Sequence, residues 1–353
     1  MAEPLRVLVA GWPNSPHVTS WAEAVRAAGH DVHVAGRDAP QLPPSPQDPQ
    51  VHRLSAGGQP FLRSLRQSRA LAAVAHELEP DLVHAHWLPE FGWMAAREGL
   101  RPLVVSAWGS DVLGVRGLGR WRSRQALGGA ELVLADSAHL ARATSDLGGG
   151  VRVEVVRWGL DLDRFSPGDS AAARASLGLP PDGPLVVSVR GLDPLYNPDL
   201  LLEAFERLRR RRPDARLLLK SPGDGAAPTA ERVTMLGNVP VEQMPDVYRA
   251  ADVVVSLASS DSSPRSVWEA LACGRPVLVS DLPWAREELD HGRHALLTPL
   301  DADAVADALE RALEEPLAGA EGRALAQETL DRAACSERID TLYRSVVSAE
   351  ERP

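Results

Sequence analysis

Lysine is nearly missing from this chain: Lys220 is the only one among 38 basic side chains, and the rest are arginine. A basic surplus is missing too, because 48 acidic residues leave a formal charge of −10. Nucleic-acid-binding proteins concentrate positive charge, so no nucleic-acid partner is expected. Cysteine occurs only at Cys273 and Cys335, which excludes a disulfide scaffold and suits two free thiols in a reducing cytoplasm. No apolar run approaches the roughly 18 residues of a membrane span, and no signal-peptide pattern opens the chain. Aromatic residues make up only 5% of the sequence, yet nine of them are tryptophan.

What is present is a repeated alternation of apolar strands and amphipathic helices, the pattern of a parallel sheet covered on both faces. At 353 residues the length suits two domains. Strands are expected at Arg6–Gly11, Asp31–Ala35, Leu82–His84, Leu103–Ser106, Leu132–Ala135 and Arg152–Val155. Helices are expected at His17–Ala28, Phe61–Leu78, Glu90–Arg97 and Ala138–Leu147, and Asp38–Gly58 reads as a long surface loop. A second alternation starts at Leu185–Val189. It continues through a helix at Pro198–Arg212, strands at Leu217–Leu219 and Val233–Leu236, and a helix at Met244–Ala251. Helical patterning returns at Ala302–Glu314 and Ala324–Val347. Residues 158–167 lack periodicity and read as a linker. The charge follows the same division: residues 1–165 balance 17 Arg against 17 acids, and the remainder carries the whole −10.

The most informative stretch runs from Asp252 to Asp281. An apolar strand, Asp252–Ala258, leads into a polar loop, with Ser263 as the expected N-cap and Pro264 as the first residue of a short helix. Gly274 and Pro276 stop that helix before a second strand, Pro276–Ser280. This delivers a helix N-terminus to the rim of a parallel sheet, where free N–H groups and the positive end of the dipole suit a phosphate. Asp261 and Glu269 bracket that N-terminus, and carboxylates beside a phosphate accept hydrogen bonds from sugar hydroxyls. A nucleotide sugar fits this loop.

These residues resemble the C-terminal signature of retaining glycosyltransferases of family 4. That pattern is Glu, seven residues, Glu, then Ala-x-Ala-x-Gly-x-Pro-Val. Asp261 replaces the first Glu here, while Glu269, Ala270, Ala272, Gly274, Pro276 and Val277 match. The linker resembles the family's inter-domain phrase in Gly159, Asp161, Phe165 and Pro167. The resemblance implies the GT-B fold, an α/β architecture of two Rossmann-like domains facing a cleft. The acceptor-binding domain would span 1–165, with a C-terminal helix at about 335–353 packing back on it. The nucleotide-sugar domain would span 166–334. By the same resemblance Arg190 and Asp261 act in catalysis, Arg190 gripping the donor diphosphate through its guanidinium fork, and Lys220, at the end of a predicted strand, is a further catalytic candidate. Glu269, Ser263, Pro264, Arg265, Ser266 and Val239 would bind the donor.

Three further positions depart from the family pattern. Leu195, followed by Tyr196 and Asn197, stands where a phosphate-binding Lys is usual, and Lys220 is the candidate to replace its charge. Trp108 stands where a His is common, so no imidazole base acts from that position. A retaining enzyme tolerates this if the departing phosphate takes the acceptor's proton. Gly11 lacks a second glycine beside it. Trp108, Gly109, Asp111, His17, Gly11 and Trp12 would form the acceptor side of the cleft. Trp87 and Trp158 also follow predicted strands or lie in the linker, where indole faces suit sugar C–H groups.

His84 and His86 share one side of a strand without an evident third metal ligand, and no metal or cofactor is expected. Four arginines and Trp121 within 116–124 suggest peripheral contact with an anionic membrane or a solvated helix. The resemblance therefore implies a retaining transferase that takes a nucleoside-diphosphate sugar, UDP foremost; the composition suits a cytoplasmic location, with peripheral membrane contact as an option beside the solvated helix. The transferase's acceptor would be a glycan, lipid carrier or small natural product. Two alternatives stay open: a sugar-nucleotide-binding protein with weakened turnover, and a nucleotide-sugar 2-epimerase on the same fold.

Overall fold

A computed structural model of the chain describes residues 3–37, 49–54, 60–221 and 231–350. It divides into two compact units. One comprises residues 1–159 with 332–353, and the other residues 160–331.

The first unit is built on seven parallel strands: β1 (Arg6–Ala10), β2 (Asp31–Gly36), β3 (Gln50–Arg53), β4 (Leu82–His86), β5 (Leu103–Ser106), β6 (Leu132–Ala135) and β7 (Arg152–Val155). Their order across the sheet is β3-β2-β1-β4-β5-β6-β7, so the winding reverses between β1 and β4. The second unit has six: β8 (Leu185–Ser188), β9 (Arg216–Lys220), β10 (Val233–Leu236), β11 (Val253–Ser256), β12 (Val277–Ser280) and β13 (Leu296–Thr298). Their order is β10-β9-β8-β11-β12-β13, and all recorded pairings are parallel. The central strands are continuous apolar runs, such as Val-Val-Val-Ser in β11 and Val-Leu-Val-Ser in β12, buried at every position. Helices cover both faces of such a sheet, so no polar alternation is required of it.

The long helices lie within a residue or two of the positions expected from the sequence: Pro16–Ala27, Pro60–Leu78, Ala138–Leu147, Pro198–Arg211 and Ala302–Glu314. Three regions differ. β3 lies inside the stretch expected to be loop, where Val51 and its neighbours add an edge strand to β2. The rest of Asp38–Gly58 falls mostly outside the described residues. The helix expected over 90–97 is preceded by a π-helical turn, Trp87–Gly92, which lets Trp87 leave β4 at a φ of 75°. The C-terminal helical stretch is two helices, Gly319–Leu330 and Arg332–Glu350, separated at Asp331.

The second of these helices joins the first unit's core, where Ile339, Leu342 and Tyr343 are buried with Val7, Val9 and Trp21. Phe165 and Leu160, from the expected linker, are buried instead in the core of the second unit with Tyr248 and Trp268. Cys273 and Cys335 are free and buried, and burial pushes the Cys273 thiol up to about 12.

Candidate functional site

In the second unit the sheet reverses between β8 and β11, and ligands of open α/β sheets bind beyond the carboxyl ends of strands at such a point. Arg190 follows β8 and Asp261 lies in the loop after β11. Their side chains meet there, with Arg190 Nη2 donating to Asp261 Oδ2 at 2.6 Å. Arg190 Nη1 reaches Ser266 Oγ at 3.3 Å, in the first turn of the helix Arg265–Ala272. The guanidinium carbon sits 4.2 Å from the centroid of the Tyr196 ring, and the buried Nε has no hydrogen-bond partner among the described residues. Burial pushes the Asp261 carboxyl upward, with the Arg190 charge and the Ser262 N–H opposing it.

The residues that stand where a Lys was expected thus have definite work. Tyr196 supplies a face under Arg190. Asn197 adopts left-handed backbone at φ 49° and donates to Leu257 O and Ser259 Oγ, both at 2.8 Å. Its amide therefore ties the β8 side of the site to the loop that carries Asp261. Nothing in the sequence marks this tie except the residue type, since Asn enters the left-handed region more readily than most.

The site helix starts one residue later than expected. Pro264 is its cap, with no side-chain cap bond, and Arg265 opens the helix. Ser263 is not the cap because its hydroxyl is used elsewhere: it accepts from Trp268 Nε1 at 2.8 Å and donates to Glu288 Oε2 at 2.9 Å. Gly274 ends the helix at φ +68°, a conformation that suits glycine.

Glu269 lies one turn inside the helix and is only 7% exposed. Arg265 Nε donates to its Oε1 and the Tyr248 hydroxyl to its Oε2, each at 2.6 Å. Tyr248 was not foreseen. Burial, and next the Glu269 charge, raise its pKa well above the ordinary range, so it remains a neutral donor. Lys220 ends β9, where burial lowers its pKa and the Glu269 charge raises it. The unit therefore brings Arg190, Asp261, Arg265, Ser266, Glu269 and Lys220 to one edge of its sheet. Val239, on the same side in sequence, packs half-buried against the core.

The first unit gathers aromatic rings instead. Trp12 lies 5.3 Å from Trp87 and 5.1 Å from Phe91, both edge-on, and 5.7 Å from Trp108. His17 is 4.7 Å from Trp108 and 5.6 Å from Trp158. Gly11 is required by packing, since a Cβ there would come within 2.6 Å of Val18. Gly109 turns at φ 102° and accepts the Val112 N–H through its carbonyl. Asp111 does not act as a ligand-facing acid. It is fully buried, its Oδ1 accepting the Trp108 N–H at 2.9 Å and its Oδ2 the Leu88 N–H at 3.0 Å. Burial raises its pKa to about 6 against those bonds.

His84 and His86 stack at 4.4 Å, but three of their four ring nitrogens bond to Tyr343, Ser106 and Trp108. The basic segment after 116 is the helix Gly117–Gly129, and two of its arginines turn inward. Arg122 lies 4.2 Å from the Trp93 ring, and Arg124 Nε donates to Leu147 O. Leu118 and Trp121 are exposed. No described helix is long and apolar enough to cross a membrane.

The fold is that of the GT-B class. A sucrose-phosphate synthase from Thermosynechococcus elongatus aligns over 98% of this chain and 100% of its own, with a TM-score of 0.83 at 22% identity. Anabaena HepE in complex with UDP-glucose aligns over 97% and 100%, with a TM-score of 0.80 at 19% identity.

Profiles of two families match successive halves: Glycosyltransferase Family 4 over residues 15–164 and Glycosyl transferases group 1 over residues 169–329. A D-inositol 3-phosphate glycosyltransferase of Frankia alni is 31% identical over 290 residues, 69% of this chain and 70% of that protein. The one from Nocardia farcinica is 35% identical over 247 residues, covering 62% of this chain and 55% of the relative. The chain thus spans only a little over half the length of several of its curated relatives. It belongs to the family 4 (group 1) glycosyltransferases.

Proposed function

We propose that the chain is a retaining glycosyltransferase that moves a sugar from a nucleoside diphosphate, UDP foremost, to an acceptor hydroxyl or amine. The observation that carries this is the Arg190 guanidinium, held by Asp261 and Ser266 over Tyr196 at the switch point of the second sheet. A diphosphate laid against it would meet two further sources of positive potential: the N-terminal N–H groups of the helix Arg265–Ala272, and Lys220.

In this reading the Arg190 Nε–H, which has no partner among the described residues, bonds a phosphate oxygen. Asp261 faces the transferred sugar and Glu269 accepts from the ribose hydroxyls, since a carboxylate oxygen takes more than one hydrogen bond. As the glycosidic bond breaks, charge grows on the leaving diphosphate. Donors already aimed there lower the barrier without reorganising, and they do so with no metal ion. The acceptor attacks the face from which the phosphate departs, and a phosphate oxygen takes its proton, so anomeric configuration is kept. HepE, whose fold this chain shares, has been crystallised with UDP-glucose, which supports a UDP-sugar donor.

Thermal shift with UDP-, GDP-, ADP- and dTDP-sugars tests this. A true donor raises the melting temperature by mass action, UDP-sugars most. Failure of every nucleotide sugar to stabilise the protein would overturn the reading.

A further inference from the structure

Two hydrogen bonds hold the ends of the Arg190 fork: Asp261 Oδ2 accepts from Nη2 at 2.6 Å, and Ser266 Oγ accepts from Nη1 at 3.3 Å. Contacts at both ends fix a line, but the guanidinium plane can still rock about it. A third contact settles the plane. The Tyr196 ring lies against its face, with the guanidinium carbon 4.2 Å from the ring centroid.

A ring differs from other supports in what it leaves free. A carbonyl or carboxylate in its place would consume an N–H, and a second cation would repel the charge it was meant to hold. An aromatic face attracts a guanidinium through its quadrupole and offers no lone pair to compete for a donor. The Arg190 Nε–H stays buried and without a partner among the described residues.

Short-range bonds put the ring in place. Asp193 caps the helical turn Pro194–Tyr196, its Oδ1 accepting the Leu195 N–H at 2.8 Å. Pro194 and Pro198 on either side restrict φ. The turn is then fastened to the loop that leads to Asp261. Asn197 Nδ2 donates to Leu257 O and to Ser259 Oγ, and the Ser259 N–H donates to Leu195 O, each at 2.8 Å. The ring at the face of Arg190 and the acid at its fork are therefore carried by two loops braced against each other.

We propose that Tyr196 is a positioning residue: its aromatic face presets the Arg190 plane, so that the open edge of the guanidinium meets a diphosphate without rearranging. The proposal rests on the transferase reading for the ligand and on the geometry alone for the brace. Losing the face weakens diphosphate binding about fivefold, the size of one partly exposed cation–π contact. The hydroxyl plays no part, so phenylalanine serves as well.

The test uses the full chain, with pyrophosphate, UDP and uridine titrated by calorimetry. Tyr196→Leu binds pyrophosphate and UDP about fivefold more weakly and uridine as the parent does, while Tyr196→Phe retains the parent's affinities. In an Arg190→Ala background, Tyr196→Leu costs nothing further, because the ring acts only through that side chain. In ¹⁵N-labelled protein without ligand, the Arg190 Nε–H signal is assigned by its loss in Arg190→Lys. It keeps its position in Tyr196→Phe and moves in Tyr196→Leu, as the ring current vanishes. An equal loss for uridine, a loss that persists without Arg190, a phenylalanine variant as weak as the leucine one, or an unmoved signal overturns the proposal. So does a parent that binds neither pyrophosphate nor UDP. The transferase reading fails separately: if pyrophosphate follows the expected pattern and no nucleotide sugar stabilises the fold, the brace stands and the reaction assigned to it falls.

Discussion

The two units use the same architecture to opposite electrostatic ends. At the switch point of the second, charged side chains pair with one another, Arg190 with Asp261 and Arg265 with Glu269, each at 2.6 Å. Beyond the strands of the first, burial holds the His84 and His86 imidazoles neutral, and the Trp21 and Trp108 indoles donate to Tyr343 and His86. In the transferase reading proposed above, the charged site would hold a diphosphate, whose charge needs strong fixed donors. The other keeps its buried imidazoles uncharged. A parallel sheet supports either, because its strands deliver whatever residue follows them to the same edge.

The largest expected effect comes from removing the charge at the centre of the second site. Arg190→Ala should lower turnover about 100- to 1,000-fold with a nucleotide-sugar donor, the range for losing a preorganised charge-stabilising donor. Steady-state kinetics check it, and an unchanged rate would erase the contrast between the units.

Asp111 tests the first unit's preference for neutrality. Folding raises its pKa from 3.8 to about 6, so the native state holds the proton more tightly than the unfolded state between those values. Stability is therefore greatest below the unfolded pKa and falls as pH rises through that window, by up to about 3 kcal/mol for a shift of this size. Asp111→Asn should flatten melting temperature against pH between about 4 and 6. It should also lower it throughout, because an amide N–H₂ then confronts the N–H of Leu88 or Trp108.

A smaller effect is expected of Tyr248→Phe, which removes one donor from Glu269. Nucleotide affinity, read by calorimetry, should fall about tenfold, in line with a hydrogen bond to a charged group. The smallest is expected of Trp121→Ser. With Trp121 51% exposed, stability should move by no more than about 0.5 kcal/mol. A larger change would give that helix a packing role that its exposure denies.

Much of this was legible in the chain. Strands such as β5 and β6 lie where apolar runs marked them, because a strand buried on both faces must be apolar throughout. Asp261 and Glu269 were placed by a strand, a loop and a helix N-terminus within one short stretch, whereas Arg190, 71 positions before Asp261, came from the family resemblance. Ser263 was misread for a related reason: a serine before a proline is a good cap locally, but Trp268 and Glu288 claim its hydroxyl. β3 was hidden in a polar stretch, since an edge strand needs little apolar patterning. Tyr248 gave no signal at all, its hydroxyl reaching Glu269 from 21 positions away.

The order of residues by itself determined the two alternating halves, the family, and the local frame that places a helix tip and two acids after β11. These follow from periodicity and from contacts a few residues long. Only tertiary structure decided which carboxylates are paired, which are sealed away as Asp111 is, and which groups the hydrogen bonds from Trp21 through Tyr343 and His84 to Ser106 join. Those depend on side chains as far apart as 322 positions. Burial sets whether such groups carry charge, and burial belongs to the folded chain alone.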